Sequence, residues 1–259
     1  MTVLEVFATV ICIIAVCSYF SAGVAFIFKK QKLAYILSAV GWVANLGIFV
    51  KNWYINGYPP FASMYQVLSD ISLLFVILMV VIIRFRADMK WLSPYFCFGA
   101  MLPLVGTLFM DRNMHWTLAP ALRSPYFVPH VFSYVLSYAL CVVAFLVLVI
   151  GYIKRREWDI YEEASCVILR IAFPFMVCGM LLGALWADQV WGNYWTWDIK
   201  EVWSLITVVA YLCYFHARRV KKMKKASGVF AVLGFFALIF TFLCVNVLPN
   251  VAGSLHTYT

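Results

Sequence analysis

Charge is what this 259-residue chain has least of: Asp, Glu, Lys and Arg make up 12% of it, against 65% apolar residues. A soluble globular domain of this size could not keep so apolar a surface dispersed in water. The polar/apolar alternation of a closed β-barrel is also missing; the apolar residues come in solid runs near the ~20 residues that cross a bilayer as helix. No two of the eight cysteines form a C-x-x-C pair, which argues against a thiol-disulfide relay and leaves them as small packing residues inside helices. No basic residue precedes the first apolar run, so it is expected to stay in the mature protein rather than act as a cleavable signal. There is no Gly/Ser linker, low-complexity tract or internal repeat, and residues 1–259 are expected to form one membrane domain.

What is present predicts an all-α, polytopic transmembrane bundle of about eight spans. The runs are Leu4 to Phe28, Leu33 to Val50, Met64 to Ile83, Pro94 to Met110, Val128 to Ile153, Val167 to Val190, Val202 to His216 and Val229 to Leu248. Lys and Arg collect in cytoplasmic loops. Sixteen of the twenty lie in alternate connections, beginning with Lys29, Lys30 and Lys32 and ending with the cluster from Arg218 to Lys225; the exceptions are Lys51, Arg112, Arg123 and Lys200. Both termini are thereby expected on the outer, periplasmic side of a cell membrane. The formal charge of +9 then reads as a topology signal with anionic lipid as its neighbour, and nucleic acid is not needed to explain it.

The outer connections are the longer, more aromatic ones. In the third, WADQVWGNYWTWDIKEVWSL holds Trp186, Trp191, Trp195, Trp197 and Trp203, half of the ten tryptophans in eighteen residues. A single Trp there reads as an interfacial anchor. A bare anchor has no use for the interleaved Asp188, Asp198, Lys200 and Glu201. If the segment is helical, Trp191, Tyr194 and Trp195 share one face, a platform suited to a large planar apolar ligand.

A porphyrin is such a ligand, and its iron needs axial ligands, usually histidine. The chain has four. On the expected topology His130 and His256 flank the Trp-rich loop on the outer side, where they could ligate one iron from opposite faces. Each taken alone could instead be an interfacial residue bonded to a loop carbonyl. His216 ends the seventh run roughly 20 Å from Val202. It is a candidate for a second, transmembrane iron site with its partner ligand from another chain, or else a cap on the helix C-terminus. His115 reads as an interfacial residue. Asp70, near the outer end of the third run, either supports the outer site or sits at the interface.

The run WGNYWTWDIKEVWSLI (Trp191 to Ile206) resembles the tryptophan-rich WWD motif of haem-handling proteins of cytochrome c biogenesis. With Lys200 and Glu201, and with YLCYFHAR carrying His216, it is similar to the CcsA (ResC) branch of system II rather than the CcmC branch of system I. LRSPYFVPHVFSYVLSYA with His130, VNVLPNVAGSLHTYT with His256 and GYPPFASMYQVL agree with that resemblance, which covers about Gly57 to Thr259. SLHTYT departs from the family in lacking the commoner Gly before its histidine.

The resemblance implies a protein that receives haem b from the cytoplasmic side at a site involving His216. It would present the haem between His130 and His256 on the loop at about 186–204, with Trp191, Trp195, Trp197, Asp198 and Trp203 forming the shelf. The haem would then pass to the C-x-x-C-H motif of an apocytochrome c. Implied partners are a CcsB (ResB) membrane protein and thiol-reducing factors. The readings that compete with this are a haem exporter feeding a periplasmic chaperone, a cytochrome b, and a membrane protein without haem.

Overall fold

The computed structural model describes residues 3–110 and 117–244. Every regular element among them is helical, and the contacts gather the chain into two units, Met1–Arg123 and Ser124–Thr259. His115, His256 and the end of the eighth apolar run lie outside the described residues.

The first unit contains α1 (Val3–Ile27), α2 (Gln31–Asn56), α3 (Met64–Phe85) and α4 (Ser93–Thr107). Within it α1 packs on α2 and α4, and α3 packs on α4 and α2. The sequence starts α3 with a capping box: Ser63 Oγ accepts from Gln66 N at 3.3 Å while Gln66 Oε1 accepts from Ser63 N at 3.1 Å. Asn45 of α2 ties the two helices by donating to the Ser69 carbonyl at 3.1 Å. Asp70 is buried, 4% exposed, inside this unit.

The second unit contains α5 (Phe127–Ile153), α6 (Trp158–Trp191), α7 (Ile199–Arg219) and α8 (Ser227–Ile239), with a π-helical turn at Phe240–Cys244. The α5/α6 pair forms its main interface, α7 packs on α8, and α8 reaches α5.

Eight helices occupy the places of the eight apolar runs. Five are long and apolar enough to cross a membrane: α1, α2, α3, α5 and α6. The other three differ for visible reasons. α4 has 15 residues with Pro103 inside, α8 has 13 before its π-helical turn, and α7 carries Lys200, Glu201, His216, Arg218 and Arg219 at its ends.

The largest departure from the expected boundaries is α6. The sixth apolar run starts at Val167, yet the helix begins at Trp158 and runs 34 residues. Its early carboxylates are neutralised across the helix pair. Arg218 of α7 lies 2.7 Å from Glu162 Oε2 and 2.8 Å from Glu163 Oε2. The Arg218 and Glu162 side chains are only 10% and 2% exposed, so neither charge stands alone in the packed region.

Candidate functional site

His130 lies in the first turn of α5, and α6 provides its seat. A Cβ on Gly183 would come within 2.6 Å of the imidazole Cε1, and one on Gly179 within 2.9 Å of the Tyr134 ring. Two glycines four apart on α6 thus form a shallow trough that takes two rings four apart on α5, the spacing at which helical residues share a face. The imidazole Nδ1 is 2.8 Å from the Gly179 carbonyl oxygen. A carbonyl oxygen only accepts, so Nδ1 carries the proton and the ring's lone pair is on Nε2, the arrangement typical of a metal-ligating histidine. The acceptor is in a helix, not a loop.

Rings extend this seat toward the Trp-rich segment. Trp186 is 5.5 Å from His130, 5.6 Å from Phe127 and 5.4 Å from Trp191, centroid to centroid. The five tryptophans do not form one helical face. α6 ends at Trp191 because Gly192 adopts φ +75°, a left-handed C-cap that suits glycine. Tyr194 and Trp195 therefore lie in non-helical chain rather than one helical turn past Trp191. Trp195 packs edge-on against Trp197 at 5.9 Å. Its indole N–H is buried with no acceptor among the described residues. Trp197 has φ +60° and is 71% exposed. A tryptophan held outward in the left-handed region is the kind of strain that collects at ligand sites. Tyr194 ties the loop back to α6 through a hydrogen bond with Asp188, which also raises the phenol's pKa.

Asp198 and Glu201 begin α7. Asp198 Oδ1 accepts from Lys200 N at 2.8 Å, and Glu201 Oε2 accepts from Asp198 N at 3.1 Å and Thr196 N at 2.8 Å. This is a capping box, and both carboxylates face the positive end of the helix dipole. Asp198→Ala should cost about 1 kcal/mol, the usual value of an N-cap, and Asp198→Asn close to nothing. Thermal unfolding of the two variants checks this. An asparagine variant that is stable but inactive would instead assign the carboxylate a chemical role.

Burial lowers the Lys200 ammonium to about 8, partly opposed by the Asp198 charge. The cost of the partly desolvated charge is fully present below about pH 8. It is relieved as pH climbs from there toward 10.5, because the unfolded chain then holds more protons than the folded one. The midpoint of unfolding of the native chain should therefore rise across that window relative to Lys200→Gln. Parallel pH profiles would contradict it.

Trp203, one turn into α7, packs on Phe240 with tilted rings and centroids 4.1 Å apart. Both line an apolar cavity of about 800 Å³ between α7 and α8, walled also by Ile206, Val209, Leu233 and Phe236; no histidine is among its lining residues. His216 is exposed in the last turn of α7, beside Arg218 and Arg219. That position suits either a dipole cap or a ligand offered to another chain.

The structure thus brings His130 to Trp191 through Trp186, pairs Trp195 with Trp197, and sets Trp203 and His216 apart at other levels of α7. Trp186 as the bridging ring, the Gly179/Gly183 trough and the Glu201 cap are not apparent in the tryptophan pattern. Their signals are nonetheless in the sequence: two glycines four apart in GMLLG, and the D-x-x-E spacing of DIKE. Among the described residues no three His, Cys, Asp or Glu side chains gather as a metal cluster, and the free cysteines form no disulfide.

A family model described as cytochrome C assembly protein matches residues 7–252. The cytochrome c biogenesis protein CcsA of Trieres chinensis is 28% identical, over 83% of this chain and 84% of its own. That of Ranunculus macranthus is 27% identical over 90% and 89%. That of Chlamydomonas reinhardtii is 32% identical over a shorter stretch, 54% of this chain and 42% of its own. This multi-pass helical chain belongs to the cytochrome c assembly protein family, in its CcsA branch.

Proposed function

We propose that the chain carries haem b to the outer face of the cell membrane and presents it there for covalent attachment to apocytochrome c. In this reading all eight helices span the bilayer as one membrane domain with both termini outside, and the Trp-rich loop at 186–204 is external. The carrying observation is the His130 seat: an imidazole fixed through Nδ1–H to the Gly179 carbonyl, its lone pair on Nε2, beside the Trp186/Trp191 pair. His256 would be the opposite ligand. Trp195 and the outward Trp197 suit a planar apolar substrate, and the orphaned Trp195 N–H suits an anionic group at its rim.

His216, exposed near the opposite end of α7, fits a transmembrane loading site whose second ligand comes from a CcsB-type partner. At the start of α7, Asp198 and Glu201 accept backbone hydrogen bonds as a cap. Thioether formation needs little from such groups. Each cysteine S–H adds across a vinyl group, the sulfur bonding one carbon and the proton ending on the other, with no net oxidation. Thiol-reducing factors are required to keep the two cysteines reduced before the addition, and the chain supplies positioning.

The test is to purify the full chain with and without its CcsB-type partner from cells rich in haem, then add an apocytochrome bearing C-x-x-C-H. A Soret band and a covalent haem product are expected with the partner present. Absence of any Soret band would overturn haem binding. A Soret band without covalent product would leave an exporter of the CcmC kind.

A further inference from the structure

A second cavity, of about 540 Å³, lies near the start of α6 and the end of α7. It is lined by Arg170, Arg218, Arg219 and Lys224 against one carboxylate, Glu163, with Phe173, Pro174 and Phe215 as its apolar wall. We infer that it holds the phosphodiester headgroup of an anionic glycerophospholipid, with the acyl chains along Phe173 and Phe215.

The charges are arranged for this. Arg218 is held by Glu162 and Glu163 and serves as a fixed wall. Arg170, Arg219 and Lys224 make no ion pair among the described residues, so the net positive charge of the pocket falls to these three. Guanidinium groups bind phosphate oxygens through two parallel hydrogen bonds.

Depth decides between a lipid and a soluble phosphate. From Arg170 to Trp191 the single helix α6 rises about 32 Å, close to the ~30 Å hydrocarbon thickness of a bilayer. With Trp191 at one interface, Arg170 stands at the headgroup level of the other, where basic pockets between helices meet acidic lipid. A soluble anion would have no use for the aromatic wall below the cations. His216 is not among the lining residues.

The experiment is native mass spectrometry of the full chain in neutral detergent, titrated with phosphatidylglycerol or phosphatidylcholine. Three forms are compared: the native chain, the pocket variant Arg170→Gln/Arg219→Gln/Lys224→Gln, and the control Arg155→Gln/Lys221→Gln/Lys222→Gln from the same basic face. The native chain should prefer phosphatidylglycerol by roughly tenfold or more. The pocket variant should lose that preference and the control keep it. Equal binding of both lipids by the native chain overturns the proposal whether or not the variants fold. So does an equal loss in the control, which marks diffuse surface charge, or displacement of the lipid by millimolar inorganic phosphate, which marks a soluble anion site.

Discussion

On the proposed assignment of His130 as a haem ligand, haem retention should fall roughly 10- to 100-fold when Gly183 becomes alanine, although the substituted residue bears no group that could touch iron. That range is the usual penalty for disturbing the partner that orients a metal-ligating histidine. The added methyl would lie 2.6 Å from the His130 ring, closer than real Cβ contacts allow, and the ring must leave its trough. Leaving it breaks the 2.8 Å bond to the Gly179 carbonyl and with it the fixed tautomer. Overpacking should lower folding stability by about 1–3 kcal/mol at the same time. His130→Ala removes the ligand outright and leaves space that added imidazole can fill. Exogenous imidazole should therefore restore part of the Soret band to His130→Ala and little to Gly183→Ala, whose displaced ring remains attached. Wild-type haem titration by Gly183→Ala would show that the trough does not set the ligand.

The second large effect concerns stability. Arg218→Gln leaves the Glu162 carboxylate, 2% exposed, without its counter-charge, and breaking one side of a buried pair costs about 3–5 kcal/mol. Glu162→Gln should cost less, because Glu163 still accepts from Arg218 at 2.8 Å. Replacing both, as Glu162→Leu with Arg218→Met, removes the two desolvation costs together and should be near neutral or stabilising. Unfolding free energies of the native chain, Glu162→Leu, Arg218→Met and the double variant in one detergent make the double-mutant cycle. A large positive coupling is expected, and additivity within about 0.5 kcal/mol would show the pair to be solvated.

Helix positions were largely legible, because apolar runs set where helices form in a chain that meets lipid. Ends were less so. The sequence pattern begins the sixth run at Val167, while the helix begins nine residues earlier, because Arg218 neutralises Glu162 from a point 56 positions away. No local pattern carries that pairing. The reverse happened at Trp191: a helical continuation would align Trp191, Tyr194 and Trp195, but Gly192 ends the helix. Glycine one residue past an aromatic run is a stop signal that the tryptophan density obscured.

The candidate site divides in the same way. His130 and the tryptophans stand out by residue type. The trough that orients the histidine does not, because Gly179 and Gly183 act by what they lack, and their partners His130 and Tyr134 lie about fifty residues away on another helix. Asp70 reads from sequence as a support of the outer site or an interfacial residue, and its enclosure within the first unit has no local signal.

The Asp198/Glu201 box changes how the acidic letters of the tryptophan-rich signature should be valued. They are punctuation, marking where an extended strip of aromatic chain turns into α7 and fixing the direction in which that helix departs. Serine or threonine at the first position with glutamine at the second would write the same instruction, so chains lacking both acids can fold the identical corner. Searches that demand Asp and Glu there will overlook such relatives, whereas searches that keep the three-residue interval and the flanking rings will find them.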